Sequence, residues 1–317
     1  MVSVSMDAQE EKTVKTICVA GSLNVDLTIS LPRFHQPGET ITGTSFCTYT
    51  GGKGGNQAIA AARLGAQVMM TACVGRDSHG DMYLETLARE GVDTSCVRRA
   101  EEEATGVALI EVDASGENRI AIAPGANACV DRAWIDRCEE DMARCGCCLL
   151  QLEIPMDTVL HTAERMHRRG VTVILDPAPA VPLPDELCRY VDLLTPNETE
   201  LALLTGMSAG TDDQVLEAAR TLLARGVKAV AAKLGSRGCM YVDQERVIRA
   251  EGFRVDAVDT TAAGDSFNAG LAVGLAQGLP MAEALRLANA VGALSTTGFG
   301  AQGAMPAMAQ AKELMRR

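Results

Sequence analysis

Residues 258–267, VDTTAAGDSF, combine features suited to phosphoryl transfer. Ala262, Ala263 and Gly264 are small and precede an apolar helical stretch, so their backbone N–H groups would lie open at a helix N-terminus. Such amides bind anions, helped by the positive end of the helix dipole. Asp265 in the same turn could orient a hydroxyl and accept its proton while the amides hold the phosphate charge. An ordinary capping role for Asp265 is the alternative, but a cap does not require Ala-Ala-Gly before it.

A second polar segment, TPNETE at 195–200, starts another predicted helix. Asn197 and Glu200 are three residues apart and therefore share a helix face. One interpretation is a capping box, with Asn197 at the N-cap and Glu200 at the third helical position. The other is that Glu200 holds Mg²⁺ through water while Asn197 reaches a phosphate, because Mg²⁺ often keeps its waters and uses few protein carboxylates.

The turn at 233–239, KLGSRGC, lies between two predicted strands. It is either a plain glycine turn or a stretch of backbone that packs closely against a nucleotide base or ribose. Lys233 at its start could contact phosphate, or could only extend its charged end to solvent.

The glycine-rich stretch GGKGGNQA at 51–58 resembles a phosphate loop, but its spacing is wrong. A P-loop needs GxxxxGK followed by Ser or Thr, whereas Gly54 follows Lys53. Without that motif, the glycines could instead let the backbone at 51–55 approach a small ligand such as a polyol closely, with Lys53 and Asn56 meeting its hydroxyls. A flexible glycine hinge before a helix is the alternative.

Composition restricts the partners of this 317-residue chain. Its 29 basic and 41 acidic residues give a net charge of −12, which argues against nucleic-acid or anionic-membrane binding. The eleven cysteines lack paired zinc-site spacing, so we expect thiols packed in a reducing, cytoplasmic compartment. No apolar run approaches the ~20 residues that span a bilayer. Residues 1–15 are polar and predict a flexible tail before a domain at 16–317.

Strands and helices alternate along the chain, which predicts an α/β fold: a three-layer α/β/α, Rossmann-like, mostly parallel sheet. Strands are predicted at 16–20, 67–74, 147–151, 172–175, 229–233, 240–242 and 247–250. Helices are predicted at 56–64, 81–90, 156–169, 198–205, 214–225, 266–277 and 281–297, the last two closing the chain. Ligands of such sheets bind beyond the carboxyl ends of the strands, where Asp26, Glu153, Asp176, Asn197 and Asp265 are expected.

Two segments, about 24–50 and 104–123, alternate apolar and polar residues and predict antiparallel strands at 26–31, 40–49, 106–113 and 119–123. We expect them to form a small β-sheet lid inserted in the main domain. An exposed edge of this sheet would favour pairing with another chain, so we expect a homodimer formed through the lids.

Nine motifs, in order along nearly the whole chain, resemble the ribokinase-like family of carbohydrate and nucleoside kinases. They are GSLNVD (21–26), PGET (37–40), GGKGGNQA (51–58), TGVAL (105–109), QLE (151–153), DPAPA (176–180), TPNETE (195–200), LGSRG (234–238) and VDTTAAGDSFNAG (258–270). The resemblance implies a ribokinase-like fold and transfer of phosphate from ATP to the 5-hydroxyl of ribose.

The resemblance also implies a role for each matching residue. Asp265 would be the catalytic base, and the amides of Ala262, Ala263 and Gly264 would form the anion hole. The residues implied to hold the sugar are Asn24, Asp26, Gly52, Lys53, Asn56, Glu153 and Asp265. Those implied to line the nucleotide site are Asn197, Lys233, Gly235, Ser236, Gly238, Gly264 and Asn289.

Two cations are implied by the same resemblance: Mg²⁺, through Glu200, and an activating K⁺. The K⁺ ligands would be Asp259 and Thr261 with the backbone of Ser295, Gly298 and Gly300.

Four positions depart from the pattern of the family. Lys233 stands where Thr is common, Asp176 where Asn is common, Asn289 where His is common, and Ala304 where a Ser often completes the K⁺ cage. The last replacement loses an oxygen ligand and bears on the affinity for K⁺.

Other functions are less consistent with the residues. A kinase of the same fold acting on deoxyribose, a nucleoside or another small sugar stays open, although five Phe, four Tyr and one Trp leave few rings to stack a base. A dinucleotide-dependent oxidoreductase would need GxGxxG after the first strand, and GSLN at 21–24 does not supply it. A non-catalytic sugar-binding protein would not need Asp265, Glu200 and the Ala-Ala-Gly turn together.

Overall fold

The structure, a computed structural model, describes residues 16–317, so the predicted tail at 1–15 lies outside the described residues. A nine-stranded sheet covered by helices on both faces and a separate four-stranded sheet make up the chain. The predicted fold class is therefore confirmed.

Thirteen strands are found in the described residues. In chain order they are β1 (Ile17–Ala20), β2 (Asn24–Ser30), β3 (Ser45–Gly51), β4 (Val68–Gly75), β5 (Asp93–Ala100), β6 (Gly106–Val112), β7 (Asn118–Ala123), β8 (Cys147–Leu150), β9 (Thr172–Leu175), β10 (Leu193–Leu194), β11 (Ala229–Lys233), β12 (Cys239–Asp243) and β13 (Val247–Ala250).

The same residues form ten α-helices, with 3₁₀ turns at Gly125–Cys129 and Gly235–Arg237. The helices are α1 (Lys53–Arg63), α2 (Ser78–Arg89), α3 (Arg132–Met142), α4 (Met156–Arg168), α5 (Asp185–Cys188), α6 (Glu198–Thr205), α7 (Asp212–Ala224), α8 (Ala263–Ala276), α9 (Met281–Ser295) and α10 (Met308–Arg316). In the described part of the chain, no helix has the length and apolar character needed to cross a membrane.

The large sheet has the order β13-β12-β11-β10-β9-β8-β1-β4-β5 and is parallel from β11 to β5. Both faces are buried, which explains the continuous apolar run of β1. Ile17 and Val19 pack with α1, α2, α8, α9 and α10. Cys18 and Ala20 point to the opposite face, which α3 to α7 cover. The two sets of helices give the three predicted layers.

The parallel strands place several polar residues at one edge of the sheet. Gln151 and Glu153 follow β8, Asp176 follows β9, Asn197 follows β10, and Lys233 ends β11. Because the carboxyl ends of parallel strands meet at this edge, side chains far apart in sequence become neighbours.

The small sheet has the order β3-β2-β6-β7. The expectation that this sheet is antiparallel throughout is wrong. β2 pairs with β3, and β6 pairs with β7, in antiparallel fashion, but the central pair β2–β6 is parallel. Alternation of apolar and polar residues indicates that one face of a sheet is exposed to solvent, but it carries no information on strand direction. The strand expected at 40–49 occupies Ser45–Gly51 instead, and residues 40–44 are irregular.

Five elements were not anticipated, and one connection differs from expectation. They are β5, β10, α3, α5 and α10, and because α10 follows it, the helix at Met281–Ser295 does not close the chain. The motif at 258–270 does not directly follow a strand, because β13 ends at Ala250 and residues 251–262 are irregular. α8 also begins at Ala263, three residues earlier than predicted.

Candidate active site

Asp265 lies in the first turn of α8, at the centre of the polar edge of the large sheet. Ala262, the residue before the helix, has a φ of 58°, a left-handed conformation that turns the chain sharply into α8. The Asp265 side chain is only 4% exposed and accepts hydrogen bonds from Asn56 Nδ2 at 3.0 Å and Gln57 Nε2 at 3.1 Å. Residues about 208 positions apart therefore fix its orientation.

The surroundings of Asp265 raise its pKa to about 6. Burial is the main cause, opposed by the positive charge of Lys53 and reinforced by the negative charge of Asp176. A carboxylate with a pKa near 6 is mostly ionised at neutral pH and is a stronger base than an ordinary aspartate.

The amides at the start of α8 are partly available for a ligand. Ala263 N–H donates to Thr260 O at 3.2 Å, so this predicted anion-hole amide is engaged within the turn. Across residues 16–317, the N–H groups of Ala262, Gly264 and Asp265 have no hydrogen-bond acceptor. An anion at this helix start would therefore meet Gly264 and Asp265 most directly.

Gln57 connects Asp265 to a second buried carboxylate. Its Nε2 donates both to Asp265 Oδ1 and to Asp176 Oδ2, at 3.1 Å each. Its Oε1 accepts from Gln151 Nε2 at 2.7 Å. The other oxygen of Asp176 accepts from Lys233 Nζ at 2.8 Å. None of the predicted roles involved Gln57 or Gln151, although both lie in motifs quoted for the family.

Lys53 begins α1 and lies among carboxylates. Burial alone would lower the pKa of Lys53, but Asp265, Asp176 and Glu153 together raise this pKa above its ordinary range. The helix start is held by Glu153, whose Oε2 accepts from Lys53 N–H at 3.0 Å and from Ser22 Oγ at 2.5 Å. The predicted residues Lys53 and Glu153 thus form one group with Asp265.

The glycines of the GGKGG stretch serve contacts within the protein. Gly52 has a φ of 81°, and a Cβ at Gly54 would lie 2.6 Å from Ser22 N. A Cβ at Gly55 would lie 1.9 Å from the hydroxyl of Tyr83. The glycines therefore allow α1 to start directly against the end of β1, which is a reason for their presence beyond close approach to a ligand.

Asp26 and Asn24 extend from β2 to the same region. A Cβ at Gly51 would lie 2.2 Å from Asp26 Oδ2, so this carboxylate rests on the start of the glycine stretch. Burial and the negative charge of Glu153 raise the pKa of Asp26 to about 7. Asn24 Oδ1 accepts from Asn127 Nδ2 at 2.7 Å. Asp26 and Asn24 therefore lie against the glycine stretch that leads to Lys53.

Asn56 is positioned by a residue from the far end of the chain. Its Nδ2 donates to Asp265, and its Oδ1 accepts from Gln302 Nε2 at 3.0 Å. Gln302 also bonds Tyr83 and accepts from Thr50. No local pattern around Gln302 indicates this role, because the contact spans 246 residues.

A cavity of about 940 Å³ is lined by Asp265 and by Lys53. All seven residues implied for the nucleotide site line it: Asn197, Lys233, Gly235, Ser236, Gly238, Gly264 and Asn289. Asn289 Nδ2 donates to the carbonyls of Ala250 and Glu251 at 3.0 and 3.1 Å, which ties the irregular segment after β13 to α9. A separate cavity of about 590 Å³ lies at the opposite end of the strands, away from these groups.

Asn197 and Glu200 do form the predicted capping box of α6. Glu200 Oε2 accepts from Asn197 N–H at 2.7 Å, and Asn197 Oδ1 accepts from Glu200 N–H at 2.8 Å. Both side chains also line the large cavity. Burial raises the pKa of Glu200, an effect that nearby Lys233 opposes. The capping role is therefore compatible with a role at the cavity wall.

The residues implied for K⁺ lie in the loop before α8, at the last residue of α9 and in the loop after α9. Asp259 Oδ1 accepts from Thr261 N–H at 2.9 Å and from Thr261 Oγ1 at 2.6 Å, and Asp259 Oδ2 accepts from Gly300 N–H at 2.9 Å. Ser295 Oγ donates to Gly292 O at 2.9 Å, which leaves its carbonyl for other partners. A Cβ at Gly298 would lie 3.1 Å from Ala304 Cβ, so Ala304 borders these loops.

The chain is similar to known proteins over most of its length. The model of the pfkB family of carbohydrate kinases matches residues 14–308. The chain is 40% identical over 301 residues to ribokinase from Haemophilus influenzae, covering 95% of this chain and 98% of the relative. It is 37% identical over 300 residues to deoxyribokinase from Salmonella typhi, covering 94% and 98%.

A solved structure is also similar over nearly the whole length. Arabidopsis thaliana ribokinase complexed with ribose and ATP superimposes with a TM-score of 0.92 at 36% identity, covering 96% of this chain and 100% of that chain. Together, the matched model, the full-length relatives and the shared fold show that this chain belongs to the ribokinase-like, pfkB family of carbohydrate kinases.

Proposed function

We propose that this protein transfers the γ-phosphoryl group of ATP to the 5-hydroxyl of D-ribose, giving ribose 5-phosphate and ADP. The observation that carries the proposal is the place of Asp265, a buried carboxylate that lines the large cavity with Asn197 and Gly264 and also accepts from Asn56, one of the residues implied to hold the sugar. A sugar on one side and a triphosphate on the other would meet at this side chain. The relatives named ribokinase, and the ribokinase structure with ribose and ATP, support the choice of substrates.

The sugar would lie among Asn24, Asp26, Gly52, Lys53, Asn56 and Glu153. Carboxylates accept hydrogen bonds from hydroxyls, and the Lys53 ammonium donates to them, so the set suits a neutral polyol. A base would find no aromatic partner among these six residues, which favours a free sugar over a nucleoside.

Transfer proceeds directly and in line. Asp265 accepts the proton of the sugar hydroxyl while the oxygen of that hydroxyl forms a bond to the γ-phosphorus. The bond from that phosphorus to the bridging β–γ oxygen breaks at the same time and releases ADP. The free amides of Gly264 and Asp265 receive the negative charge of the phosphoryl group. Asn56 and Gln57 hold the carboxylate in place throughout.

Glu200 suits an Mg²⁺ ion bound through water. Its carboxylate lines the cavity, yet its oxygens already accept from Asn197 N–H and Nδ2. A hydrated Mg²⁺ needs only the outer lone pairs of such a group. When bound with ATP, the ion would neutralise charge on the phosphates.

The set Asp259, Thr261, Ser295, Gly298 and Gly300 offers only oxygen ligands and therefore suits a hard cation such as K⁺. Because Ala304 adds no oxygen, we expect weaker activation by K⁺ than a serine there would give. Replacing Ala304 by Ser is expected to lower the K⁺ concentration that gives half-maximal activity.

A coupled assay of ADP release across sugars and nucleosides, with and without K⁺, tests the proposal. D-Ribose is expected to give the highest kcat/KM. Deoxyribose is the second candidate, favoured by the 37% identity to deoxyribokinase, and a higher kcat/KM for deoxyribose would replace ribose in the proposal. Activity on nucleosides alone would contradict it.

We further propose one kinase domain at 16–317 in which segments 24–50 and 104–123 act as a lid that excludes water during transfer. Five large apolar side chains on the lid strands are exposed, and they support pairing of two lids in a homodimer: Phe46, Tyr49, Leu109, Ile120 and Ile122. A mass of two chains by light scattering at micromolar concentration is the expected result, and a monomer would contradict it.

A cytoplasmic location is part of the proposal. Nine of the eleven cysteines are buried, and no disulfide joins any of them within residues 16–317. Thiols of this kind suit a reducing compartment. Full activity in the presence of a reductant, and loss after treatment with an oxidant, is the expected behaviour.

A further inference from the structure

Two departures from the family pattern, Asp176 and Lys233, contact each other. They are 57 residues apart in sequence and follow or end strands β9 and β11. Lys233 Nζ lies 2.8 Å from Asp176 Oδ1, with the two side chains 12% and 2% exposed. A charged pair replaces the neutral Asn and Thr that are common at these positions, so the two changes compensate each other electrostatically.

The pair lies at the wall of the large cavity, next to the start of α8. A Cβ at Gly264 would lie 3.3 Å from Lys233 Nζ, which places the ammonium group beside the free Gly264 amide. Lys233 Nζ also lies 4.0 Å from Glu200 Oε2. The backbone at Lys233 is fixed as well, since its N–H donates to Pro196 O at 2.8 Å.

Removal of two charges from water is costly, and a pair kept only for stability is often no better than neutral residues. Here the pair is not sealed in the core but faces the ligand cavity. An ammonium group has three donors, and Asp176 occupies one of them. Two donors remain on an ammonium group that lies beside the start of α8.

We propose that Lys233 is a phosphate-contacting residue for the transferred phosphoryl group and that Asp176 is the positioning residue that holds it there. This inference rests on the proposed function, because it presumes a nucleoside triphosphate in the large cavity. Charge-assisted contacts of this kind are shorter and stronger than neutral hydrogen bonds.

The same pair is linked to the proposed base. Gln57 Nε2 donates to Asp176 Oδ2 and Asp265 Oδ1, so one amide touches both carboxylates. The phosphate contact, the positioning carboxylate and the base therefore form one hydrogen-bonded row, Lys233–Asp176–Gln57–Asp265, across the edge of the sheet.

Nucleotide binding measured by calorimetry tests the inference without dependence on the sugar. The probes are the non-hydrolysable β,γ-imido analogue of ATP and AMP, each with Mg²⁺. Lys233→Met is expected to weaken the triphosphate analogue about 10- to 100-fold, the range for loss of one charge-assisted contact, and to leave AMP unchanged. Lys312→Met, a change at an exposed lysine on α10, serves as the control and should alter neither affinity.

The variants Asp176→Asn and Asp176→Asn/Lys233→Met distinguish two roles of Lys233. It could contact the phosphate directly, or it could only neutralise the charge of Asp176. Asp176→Asn alone should weaken the triphosphate analogue by a smaller factor, and the double variant should match Lys233→Met. A double variant that regains wild-type affinity would overturn the inference, because Lys233 would then only neutralise Asp176. Equal losses for AMP and the triphosphate would also overturn it.

Folding and the proposed function are checked in the same series. Thermal melting of each variant shows whether the fold is retained. Lys233→Arg keeps the positive charge and should keep most of the preference for the triphosphate analogue over AMP. Wild-type protein that binds neither nucleotide would overturn the proposed function and this inference together. Wild-type protein that prefers the triphosphate, with Lys233→Met unchanged, would overturn the inference alone.

Discussion

Replacing Asp265 by Asn should remove activity and at the same time change how stability depends on pH. The pKa of Asp265 is about 6 in the folded protein, against an ordinary value of 3.8. The difference of about 2 pH units corresponds to about 3 kcal/mol in the free energy of unfolding. Burial of the ionised carboxylate is the main cause of this cost.

The sign follows from proton binding. Between pH 3.8 and about 6, the folded protein holds a proton on Asp265 and the unfolded chain does not, so this group makes the wild type less stable as pH rises. Above about 6 the cost is constant. The Asp265→Asn variant lacks it, so the stability of the variant relative to wild type should rise by about 3 kcal/mol between about pH 4 and pH 7.

Urea unfolding of both proteins across this pH range measures the effect. The amide that replaces the carboxylate has one oxygen and could accept from only one of Asn56 and Gln57, which costs about 1–2 kcal/mol, but this offset does not depend on pH. Asp157→Asn, a change at an exposed aspartate in the first turn of α4, is the matched control. A relative stability that stays flat from pH 4 to pH 7 would refute the argument that burial perturbs Asp265.

Three further outcomes are expected. Asp26→Ala should raise KM for the sugar with little change in KM for ATP, and an unchanged sugar KM in steady-state kinetics would rule out a sugar contact. The pKa values of Asp26 and Asp265 are about 7 and 6, so kcat/KM for the sugar should fall as pH drops below about 7 and fall more steeply below about 6. Asp26→Asn should remove the decrease that begins near pH 7. Gly54→Ala should destabilise the protein by about 1–3 kcal/mol because its Cβ would meet Ser22 N at 2.6 Å, whereas Gly210→Ala, with its nearest neighbour 3.7 Å away, should have little effect on the melting temperature.

The central strands of the fold could be predicted because buried strands consist mostly of apolar residues. β1 is apolar throughout and β4 is apolar except for Thr71, since helices cover both faces of the sheet. β5 escaped prediction because it is an edge strand paired only with β4, and its sequence DTSCVRRA mixes charged and apolar residues. α3 carried a usable signal, with Ile135, Cys138 and Met142 buried on one face after the N-cap Asp131.

Some residues of the candidate site could likewise be predicted from the sequence, and others could not. Asp265, Asn197 and Glu153 could be found because polar residues after buried strands or at helix starts converge on one edge of a parallel sheet. Gln302 and Tyr83 could not, because their contacts with Asn56 and Gly51 join distant segments. The contact between Asp176 and Lys233 was also outside sequence reasoning, although each residue alone was seen to depart from the family.

The glycine-rich stretch illustrates how structure refined an interpretation. Its glycines were expected to allow close approach to a polyol, whereas Gly54 and Gly55 are required by contacts with Ser22 and Tyr83. Contacts within the protein therefore account for these two glycines, and Asn56 and Gln57, which follow them, orient the carboxylate of Asp265.

The most direct test of the account is the rate of ADP release with D-ribose and ATP for the wild type and Asp265→Asn, together with ribose binding by calorimetry. We expect robust turnover by the wild type, a loss of kcat of at least about 100-fold in the variant, and ribose affinity within a few-fold of wild type. A variant that keeps near wild-type kcat would contradict the assignment of Asp265 as the base that accepts the sugar's proton.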